Sequence, residues 1–372
     1  MMEIRPVATR RELKEFIYLP ARIHRGHKNW VPPIYQDDWK YFDFTKNRHA
    51  QGCEIIKFLA FQDGRPVGRI VGIISHRINE LHGEKIARFA NLDCYNNQAI
   101  ASALLNQVEN WAQEYGMQGI IGPKGFSNLD PEGFIVEGFG NEPTLSTYYN
   151  YEYIPEFLVN QGYEKHVDYV AYKIPVNIPV FYEKIFQRIT RRKDFKLLEF
   201  TTRKELRPFV FPVMELMNET YQSLDGYIPL SSAEMQSMAK RFLPLLDPRF
   251  VKAVEFNRQL VAFVLGIPNL NQGIRNARGR LFPFGLFHIL RAAKSAPQLD
   301  LLLGAIREEF RGRGLDVFMG TAMYKSVQQY GFKHIDSHLE LETNTKVRAE
   351  MERAGGKVYK RYRVYKKDLR KN

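Results

Sequence analysis

Glycine and arginine alternate in a short stretch near the carboxyl end of the chain, and this pattern has the clearest chemistry. The stretch runs Phe310-Arg311-Gly312-Arg313-Gly314-Leu315-Asp316. Glycine lets the backbone approach a ligand closely, and consecutive free amides at the start of a helix favour a phosphate group. The two arginines add positive charge. The pattern therefore predicts a phosphate-binding turn formed by Arg311, Gly312, Arg313, Gly314, Leu315 and Asp316.

The flanking residues place this turn between a strand and a helix. Leu299 to Ala305 is a short apolar run that predicts a buried strand. From Leu315 onward, apolar residues recur at helical spacing, and Gly331 marks the end of that helix. Glycine-rich phosphate sites typically lie between a strand and a helix, as this turn is expected to do. The alternative is an ordinary solvated turn.

A second unusual stretch, residues 125–163, contains no Lys, Arg or His, although the whole chain has a formal net charge of +13. It is rich in carboxylates and tyrosines, and aromatic faces beside carboxylates are typical surroundings of a cationic amine. We expect this segment to line an acceptor pocket that faces the phosphate-binding turn. The alternative is an acidic surface loop that balances basic neighbours. The candidate acceptor-binding residues are Asn128, Glu132, Glu137, Asn150 and Tyr151.

The composition limits the classes of protein to which the chain can belong. With 372 residues, 44% of them hydrophobic, the chain is long enough for two ordinary domains with hydrophobic cores. No apolar run approaches the length of a membrane span and the N-terminus lacks a signal-peptide core, so we expect a cytoplasmic protein. The cysteines and histidines lack the spacing of a metal site, and none is expected. The positive charge favours an acidic partner, such as nucleic acid, anionic lipid or a phosphorylated cofactor.

Four pairs of matching segments occur in the same order in the two halves of the chain. The pairs are Thr9–Phe16 with Thr202–Phe209, Val67–Ile73 with Val261–Ile267, Gln113–Gly116 with Gln328–Gly331, and Gly162–Lys173 with Gly355–Lys366. Four matches in one order predict an internal duplication. We place the boundary near Pro179, which gives domains at residues 1–178 and 179–372.

Each half is expected to contain a strand, helices, a hairpin, a strand, a helix, a strand, a helix and further strands, which is a mixed α+β arrangement. The phosphate-binding turn aligns with Asn96–Ala101 in the first half, which therefore lacks one. Each half also has an insertion of its own, around residues 123–153 in the first and at 268–297 in the second. The second insertion contains a basic amphipathic run, Arg280–Lys294. Long insertions in compact domains are usually functional or disordered.

The spacing Arg-x-x-Gly between a strand and a helix resembles the pyrophosphate loop of the GNAT superfamily of acyl-CoA N-acyltransferases, and each half has the GNAT element order. Separated phrases, among them Asn29–Pro33, Glu137–Phe139 and Tyr359–Tyr365, are similar to those of an uncharacterised bacterial family of tandem GNAT-like proteins. The resemblance implies a tandem α+β fold with mixed central sheets flanked by helices. It also implies a degenerate first half, with acetyl-CoA or another acyl-CoA bound by the second. Asp316 departs from the family, which usually has Gly or Ala there.

GNAT enzymes commonly place an Asn at a strand end near the cofactor and use a later Tyr as the acid for the leaving thiolate. The resemblance implies Asn344 as the cofactor contact and leaves Met351 at the Tyr position. The alternative role of Asn344 is the N-cap of a helix that begins at Thr345. Glu340 and Glu342 alternate on the preceding strand and share a face, where either would serve as the base for an amine. The alternative is a paired, solvated strand face.

These patterns favour an N-acyltransferase, most simply an acetyltransferase, that moves an acyl group from acyl-CoA to a small-molecule amine whose identity is open. One alternative is an aminoacyl-tRNA-dependent transferase of the peptidoglycan-bridge type, in which the positive charge would hold tRNA. The intact turn and the lack of a coiled-coil arm disfavour it. The other alternative is a degenerate acyl-CoA-binding protein, which Asp316 and Met351 favour. No membrane span is expected, and the oligomeric state is open.

Overall fold

The computed structural model describes residues 2–127, 129–192, 194–222, 227, 229–243 and 246–371. The strands are β1 Met2–Pro6, β2 Cys53–Gln62, β3 Arg65–Ser75, β4 Ile86–Cys94, β5 Gly119–Gly122, β6 Phe134–Glu137, β7 Glu164–Pro175, β8 Phe195–Glu199, β9 Val251–Phe256, β10 Gln259–Pro268, β11 Gln298–Ile306, β12 His334–Asp336, β13 Glu340–Leu341 and β14 Lys357–Asp368. The helices are α1 Arg10–Ile23, α2 Tyr35–Tyr41, α3 His76–His82, α4 Gln98–Glu114, α5 Tyr153–Asn160, α6 Val180–Thr190, α7 Arg203–Leu206, α8 Val210–Thr220, α9 Ser232–Phe242, α10 Asn271–Asn276, α11 Gly285–Lys294, α12 Leu315–Gln329 and α13 Thr345–Arg353. Within these ranges, no helix has both the length and the apolar character that a membrane span requires.

The first repeated segment begins an equivalent helix in each half. The Thr9 and Thr202 hydroxyls each accept a hydrogen bond from the amide three residues later. In return, the Glu12 and Glu205 carboxylates each accept one from the amide of the cap residue. This reciprocal cap satisfies amides that would otherwise be free at the helix start, and a cap of this kind typically contributes about 1 kcal/mol. The sequence repeat therefore has a structural counterpart.

Matched hairpins follow in the two halves. The turns are Asp63-Gly64 between β2 and β3, with φ of 50° and 75°, and Asn257-Arg258 between β9 and β10, with φ of 50° and 65°. Two consecutive positive φ angles characterise the type I′ turn, whose twist matches that of the strands. On β3, a Cβ atom at Gly68 or Gly72 would lie 2.8 Å from a side chain of α4. Glycine at these two positions therefore lets α4 pack directly on the strand.

The described strands form one mixed sheet in the order β1-β2-β3-β4-β5-β14-β7-β12-β11-β10-β9-β8, with β6 also pairing with β14 and β13 with β7. The pairs β4–β5 and β11–β12 are parallel, and the others are antiparallel. Helices cover both faces: α1 and α4 pack on opposite sides of β3, and α8 and α12 on opposite sides of β10. The mixed α+β arrangement predicted from the sequence is confirmed.

The last strands of the two halves are exchanged. β14 pairs with β5 of the first half, β7 pairs with β12 of the second half, and β7 and β14 pair with each other in the middle. Tyr169 and Tyr362, which are equivalent in the sequence repeat, lie directly opposite each other. A two-fold axis that relates two copies of one strand produces this pairing. The division between residues 178 and 179 stays a prediction. The strands of each segment are not confined to one side of the sheet, since β14 pairs with β5 and β7 pairs with β12.

Each parallel pair is short, with three residues paired on each strand. β11 and β12 pair only from Gln298–Asp300 to His334–Asp336, although β11 continues to Ile306. β4 and β5 likewise pair through residues 86–88, although β4 continues to Cys94. Beyond these residues the strands of each pair are not hydrogen-bonded to each other. We call the unpaired edge of β11, residues 301–306, with the space between it and β13, the second-half cleft; this edge leads to the predicted phosphate-binding turn.

Candidate functional site

The glycine-rich turn follows β11 and one 3-10 turn at Glu308–Phe310. Gly312 and Gly314 have φ of +73° and +83°, the left-handed region that favours glycine. Gly314 immediately precedes α12. Among the described residues, the amides of Gly312, Arg313 and Gly314 have no hydrogen-bond acceptor, and the first amides of a helix lack an intrahelical one. These amides, with the positive end of the helix dipole, can bind a phosphate.

Basic and aromatic side chains surround the turn. The Arg313 guanidinium lies 5.0 Å from the centre of the Phe310 ring, and the Phe310 and Phe195 ring centres are 6.1 Å apart. Arg192 lies 5.2 Å from the centre of the Phe195 ring. Arg311 donates from Nε to the last carbonyl oxygen of β11 over 3.2 Å, which ties the turn to the strand. Positive charges beside flat apolar rings suit the phosphates and the base of a nucleotide.

Asp316 lies in the first turn of α12, where a carboxylate complements the helix dipole. Burial, followed by the charge of Asp316, raises the pKa of Glu350 on α13 to about 7. The same two causes, in the same order, raise the pKa of Tyr182 on α6 to about 12. The Asp316 carboxylate therefore lies within electrostatic range of both neighbouring helices.

A buried polar cluster fixes the point at which the second-half cleft opens. Asp300 on β11 and Asp336 on β12 are direct partners, and the Lys360 ammonium of β14 lies 3.2 Å from Asp336. Tyr359 donates its hydroxyl hydrogen bond to the same carboxylate. Burial, with the Asp336 charge as the second cause, raises the pKa of Asp300 to about 7. Because the cluster joins β11, β12 and β14, it holds the strands at the start of their divergence.

Tyr221 binds the free edge of β11 inside the cleft. Its hydroxyl donates to the Gly304 carbonyl oxygen over 2.9 Å and accepts from the Gly304 amide over 3.3 Å. Burial is the main cause that raises the pKa of Tyr221. The hydrogen bond with Gly304 opposes this rise, and the charge of Glu340 adds to it. Tyr221 is therefore a protonated hydroxyl within electrostatic range of Glu340.

Glu340 begins β13 and pairs with Val170 of β7. Its side chain is half-buried and has no hydrogen-bond or ion-pair partner in the part of the chain that the structure describes. Burial raises the pKa of Glu340 to about 8, and the charge of Glu350 is the second cause. A carboxyl group that titrates near neutral pH is suited to accept a proton from an amine.

Glu342 has a different environment. Its carboxylate forms ion pairs with Lys165 and with Arg361, the latter at 3.0 Å. Both of its partners are cationic side chains, so the Glu342 carboxylate is already paired within the protein. A catalytic role for either carboxylate stays a prediction, and the environment favours Glu340 over Glu342.

Asn344 is the N-cap of α13, since its side-chain oxygen accepts from the Val347 amide over 3.4 Å. The capping role is confirmed, whereas a contact with the cofactor stays a prediction. Met351 is half-buried against the core that includes β7 and α12. This position, at which GNAT enzymes commonly carry a tyrosine, therefore supplies no hydroxyl.

The equivalent turn of the first half is closed. Asn97 caps α4 by accepting from the Ala99 amide over 3.0 Å. Gln98 donates to the Phe157 carbonyl oxygen of α5 over 3.1 Å, and Asn160 donates to Gln98 over 3.1 Å. The cap therefore uses the Ala99 amide, and α5 contacts the start of α4, whereas Gly312, Arg313 and Gly314 have no such contacts among the described residues.

Three candidates in the acidic segment stabilise the segment itself. Asn150 is buried, accepts from the amide of Ile135 on β6 over 2.9 Å and donates to the carbonyl oxygen of the same residue. Glu132 is buried and accepts from the Tyr169 hydroxyl over 2.6 Å. Tyr151 stacks on His27, with ring centres 4.0 Å apart. Their roles in acceptor binding stay predictions.

Glu137 lies nearest in register to the second-half cleft. It pairs with Arg361 of β14, and Arg361 pairs with Val170 of β7. Val170 pairs in turn with Glu340. Residues in one such row share a face of the sheet, and three strand spacings separate Glu137 from Glu340 by about 14 Å. The Arg361 guanidinium contacts both Glu137, at 3.1 Å, and Glu342.

The acidic candidates are divided between the two faces of the sheet. Tyr169 precedes Val170 in β7, so their side chains point to opposite faces. Glu132 bonds to Tyr169, whereas Glu137 lies in the row of Val170. Asn128 lies outside the described residues. A pocket shared by all five acceptor candidates stays a prediction, and Glu137 is the one that shares a row with Glu340.

Two residues near Glu340 were not found from the sequence. Tyr221 comes 83 residues before the Gly304 backbone that it bonds, and no local pattern links the two. Glu350 lies on α13 ten positions after Glu340, and the strand–helix order gave a weak signal that both would border one cleft. Only the fold shows that Glu350 acts on the pKa of Glu340.

Comparison with known proteins places the chain among acyltransferase folds. No protein-family model matches it. A bacterial ceramide synthase of Caulobacter vibrioides is 28% identical over 383 residues, covering 99% of this chain and 98% of that protein. Protein YghO of Escherichia coli is 24% identical over 376 residues, covering 98% and 95%.

Solved structures agree in architecture. A tandem GNAT protein from the clavulanic acid biosynthesis pathway has a TM-score of 0.57 over 99% of both chains, at 13% identity. A GCN5-related N-acetyltransferase from Sphaerobacter thermophilus has a TM-score of 0.52 over 99% of this chain and 96% of that chain, at 12% identity. At such identities, the likeness shows the fold. The two short parallel pairs, the turn before α12 and the whole-length structural similarity lead to one conclusion: the chain has the tandem GNAT-like fold, a duplication of the acyl-CoA N-acyltransferase fold.

Proposed function

We propose that the chain is an acyl-CoA-dependent N-acyltransferase that forms an amide on a long-chain primary amine. The observation that carries the proposal is Glu340, an unpaired, half-buried carboxyl with a pKa of about 8, at the cleft that opens beside the glycine-rich turn. The relative named a bacterial ceramide synthase is similar over the whole chain. Because a ceramide is the N-acyl product of a long-chain base, this similarity supports the acceptor class.

The second half supplies the CoA site in this proposal. The free amides from Gly312 to Asp316 bind the pyrophosphate, and Arg311 and Arg313 contribute positive charge. Asn344, at the start of α13, is the proposed further contact. The closed start of α4 makes the first half unsuitable for a second pyrophosphate.

The proposed chemistry needs one base and one proton donor. Glu340 accepts a proton from the ammonium group of the acceptor, and the freed lone pair on nitrogen forms the C–N bond with the thioester carbonyl carbon. The C–S bond breaks, and the CoA thiolate leaves and takes up the second proton, which the nitrogen loses as it becomes the amide. Tyr221 is the nearby protonated hydroxyl, held at Gly304 on the free edge of β11. Atoms and charge balance without an oxidant or a metal ion.

Negative charge near the cleft supports a cationic acceptor. Glu137 lies in the row of Glu340 at about 14 Å, and the segment from residue 125 to 163 contains no basic side chain. Carboxylates that border a cleft raise the local concentration of an ammonium ion. In this proposal Glu132, Asn150 and Tyr151 hold the segment in place and Glu137 faces the acceptor.

The test is an acceptor panel. The purified protein is incubated with acyl-CoAs of graded chain length and with a long-chain amino alcohol, a short polyamine or an aminoacyl-tRNA, and thiol release and amide mass are measured. The proposal predicts thiol release with the long-chain amine. Consumption of aminoacyl-tRNA without acyl-CoA would identify the peptidoglycan-bridge type of transferase instead. CoA binding in calorimetry without turnover on any amine would indicate a binding protein.

A further inference from the structure

The second insertion exposes a concentrated apolar surface, which we call the Phe282–Lys294 surface. Phe282, Phe284 and Phe287 are exposed by 69%, 72% and 62%. Leu286 and Leu290 extend the same surface along α11 and are also exposed. Contiguous exposed apolar side chains of this size mark interaction sites in soluble proteins.

The surface rests on a rigid base. Ile289, on the opposite side of α11, is buried, and a Cβ atom at Gly273 of α10 would lie 2.6 Å from the Ile289 Cα atom. The two helices are therefore in close contact. Asn271 of α10 donates to the Pro143 carbonyl oxygen of the first half over 2.6 Å, and Arg275 forms an ion pair with Glu142. One side of α11 is thus packed against the protein while its aromatic side is left exposed.

The charged residues of the second insertion are all basic. Residues 268–297 contain no Asp or Glu, and their basic residues are Arg275, Arg278, Arg280, Arg291 and Lys294. Four of these five, all except Arg275, are exposed. Exposed phenylalanines bordered by Arg and Lys are the pattern by which interfacial helices bind anionic bilayers.

We propose that the Phe282–Lys294 surface docks the protein on an anionic membrane. The phenylalanines enter the boundary between head groups and acyl chains, and Arg280, Arg291 and Lys294 contact the lipid phosphates. A second copy of the chain is a poorer occupant, because a two-fold contact would place this surface against itself and bring like charges together. The proposal goes beyond the proposed acyl transfer and rests on the surface alone.

The test measures binding to vesicles without any substrate. Wild-type protein is sedimented with vesicles of phosphatidylglycerol and phosphatidylcholine, and with vesicles of phosphatidylcholine alone. We expect binding to the anionic vesicles that weakens as salt is added. The triple variant Phe282→Ser/Phe284→Ser/Phe287→Ser should bind at least roughly tenfold more weakly, because it loses the buried apolar area. Circular dichroism checks that the variant is folded.

Two further variants separate the electrostatic from the apolar contribution to vesicle binding. Arg291→Glu/Lys294→Glu keeps the phenylalanines and should lose the preference for anionic lipid. Leu81→Ser/Phe211→Ser removes exposed apolar side chains on α3 and α8 and should bind vesicles as the wild type does. Turnover of the triple variant on a short soluble amine, where the wild type has it, should be unchanged, so failure of acyl transfer and failure of docking are read separately.

Three results would overturn the proposal. The first is a wild-type protein that stays in the supernatant with anionic vesicles. The second is a folded triple variant that binds them as tightly as the wild type. The third is a wild-type dimer in sedimentation analysis that the triple variant dissociates while vesicle binding is unchanged, which would assign the surface to a second copy of the chain.

Discussion

The charge of Glu350 adds to the cost of ionising Glu340. Burial is the first cause of the raised pKa at both positions, about 8 for Glu340 and about 7 for Glu350. The charge of Glu350 is the second cause at Glu340, and that of Asp316 is the second cause at Glu350. A chain of three acidic groups therefore keeps Glu340 able to exchange a proton near neutral pH.

Glu350→Gln should shift the pH profile of turnover. Removing the second charge lowers the pKa of Glu340, so the acidic limb of kcat/KM should move to lower pH, by on the order of one unit for charges a few ångströms apart. The control is Glu352→Gln on the same helix, whose carboxylate contacts Arg348 and Tyr172 instead. An acidic limb that does not move in Glu350→Gln would exclude Glu340 as the titrating base.

Glu340→Gln should stabilise the protein at alkaline pH. The folded-state pKa of about 8 exceeds the ordinary value of 4.5, so between these values the folded state binds more protons than the unfolded state. The free energy of unfolding contributed by this group therefore falls as pH rises through that window. The Tm difference between variant and wild type should grow from pH 4.5 to about 8 and then level off. A Tm difference that stays constant with pH would show that the pKa of Glu340 is not raised in the folded state.

At the scale of elements, the glycine-rich turn can be tested with a matched pair of glycines. Gly312 and Gly331 lie before and after α12, with φ of 73° and 76°, and a Cβ atom at either would meet nothing within 4 Å. Gly314 is less suitable, because its Cβ would lie 3.2 Å from Ile185 and Ile189 of α6. Alanine at either end of the helix therefore adds similar backbone strain.

Gly312→Ala should weaken CoA binding at least tenfold, or about 1.4 kcal/mol, because a methyl group is added where the backbone amides meet the pyrophosphate. Gly331→Ala should bind CoA as the wild type does. Calorimetry with CoA measures both affinities, and thermal unfolding checks that the two variants lose similar stability. Equal CoA affinity of the two variants would remove the turn as the pyrophosphate site.

Local patterns were sufficient to predict most elements. The strand from Leu299, the helix from Leu315 and the two hairpins follow from periodicity and turn residues, and the structure has them at the expected places. The Asn344 cap follows from its position before a helical run. In each case neighbouring residues in the chain determine the geometry, so the information is local.

The sequence patterns could not predict contacts between segments that are distant in the chain. The Tyr221 bond to Gly304 and the buried Asp300–Asp336–Lys360 cluster depend on strands that meet only in the folded sheet. The strand exchange is likewise hidden, because β7 and β14 have similar sequences and either would satisfy the pattern beside β5. The sequence therefore indicated Glu340 and Glu342, but only the structure shows that Glu342 is paired and that Glu340 has no partner among the described residues.

At the scale of the whole molecule, the exchanged strands join the two halves into one sheet. The exchange can be trapped with cysteines, since Ile121 of β5 is the direct partner of Lys366 of β14. Lys173 is the residue of β7 that corresponds to Lys366 in the repeat. Without the exchange, Ile121 would pair with Lys173.

Ile121→Cys/Lys366→Cys should form a disulfide on mild oxidation, because directly paired antiparallel residues have Cα atoms about 4.5–5.5 Å apart, within the range that a disulfide spans. Ile121→Cys/Lys173→Cys should not form one. Peptide mass spectrometry of the oxidised proteins identifies the linked residues. A link from position 121 to position 173, and none to 366, would show that each half keeps its own last strand.

The central claim is that the second-half cleft transfers an acyl group from CoA to a long-chain amine with Glu340 as the base. The most direct measurement is mass spectrometry of the products from isotope-labelled acyl-CoA and a long-chain amino alcohol, with thiol release followed in parallel. We predict one labelled amide for each thiol released, and a rate that falls by roughly a hundredfold or more in Glu340→Gln. A labelled amide formed at the wild-type rate by Glu340→Gln, or thiol release without any amide, would contradict the account.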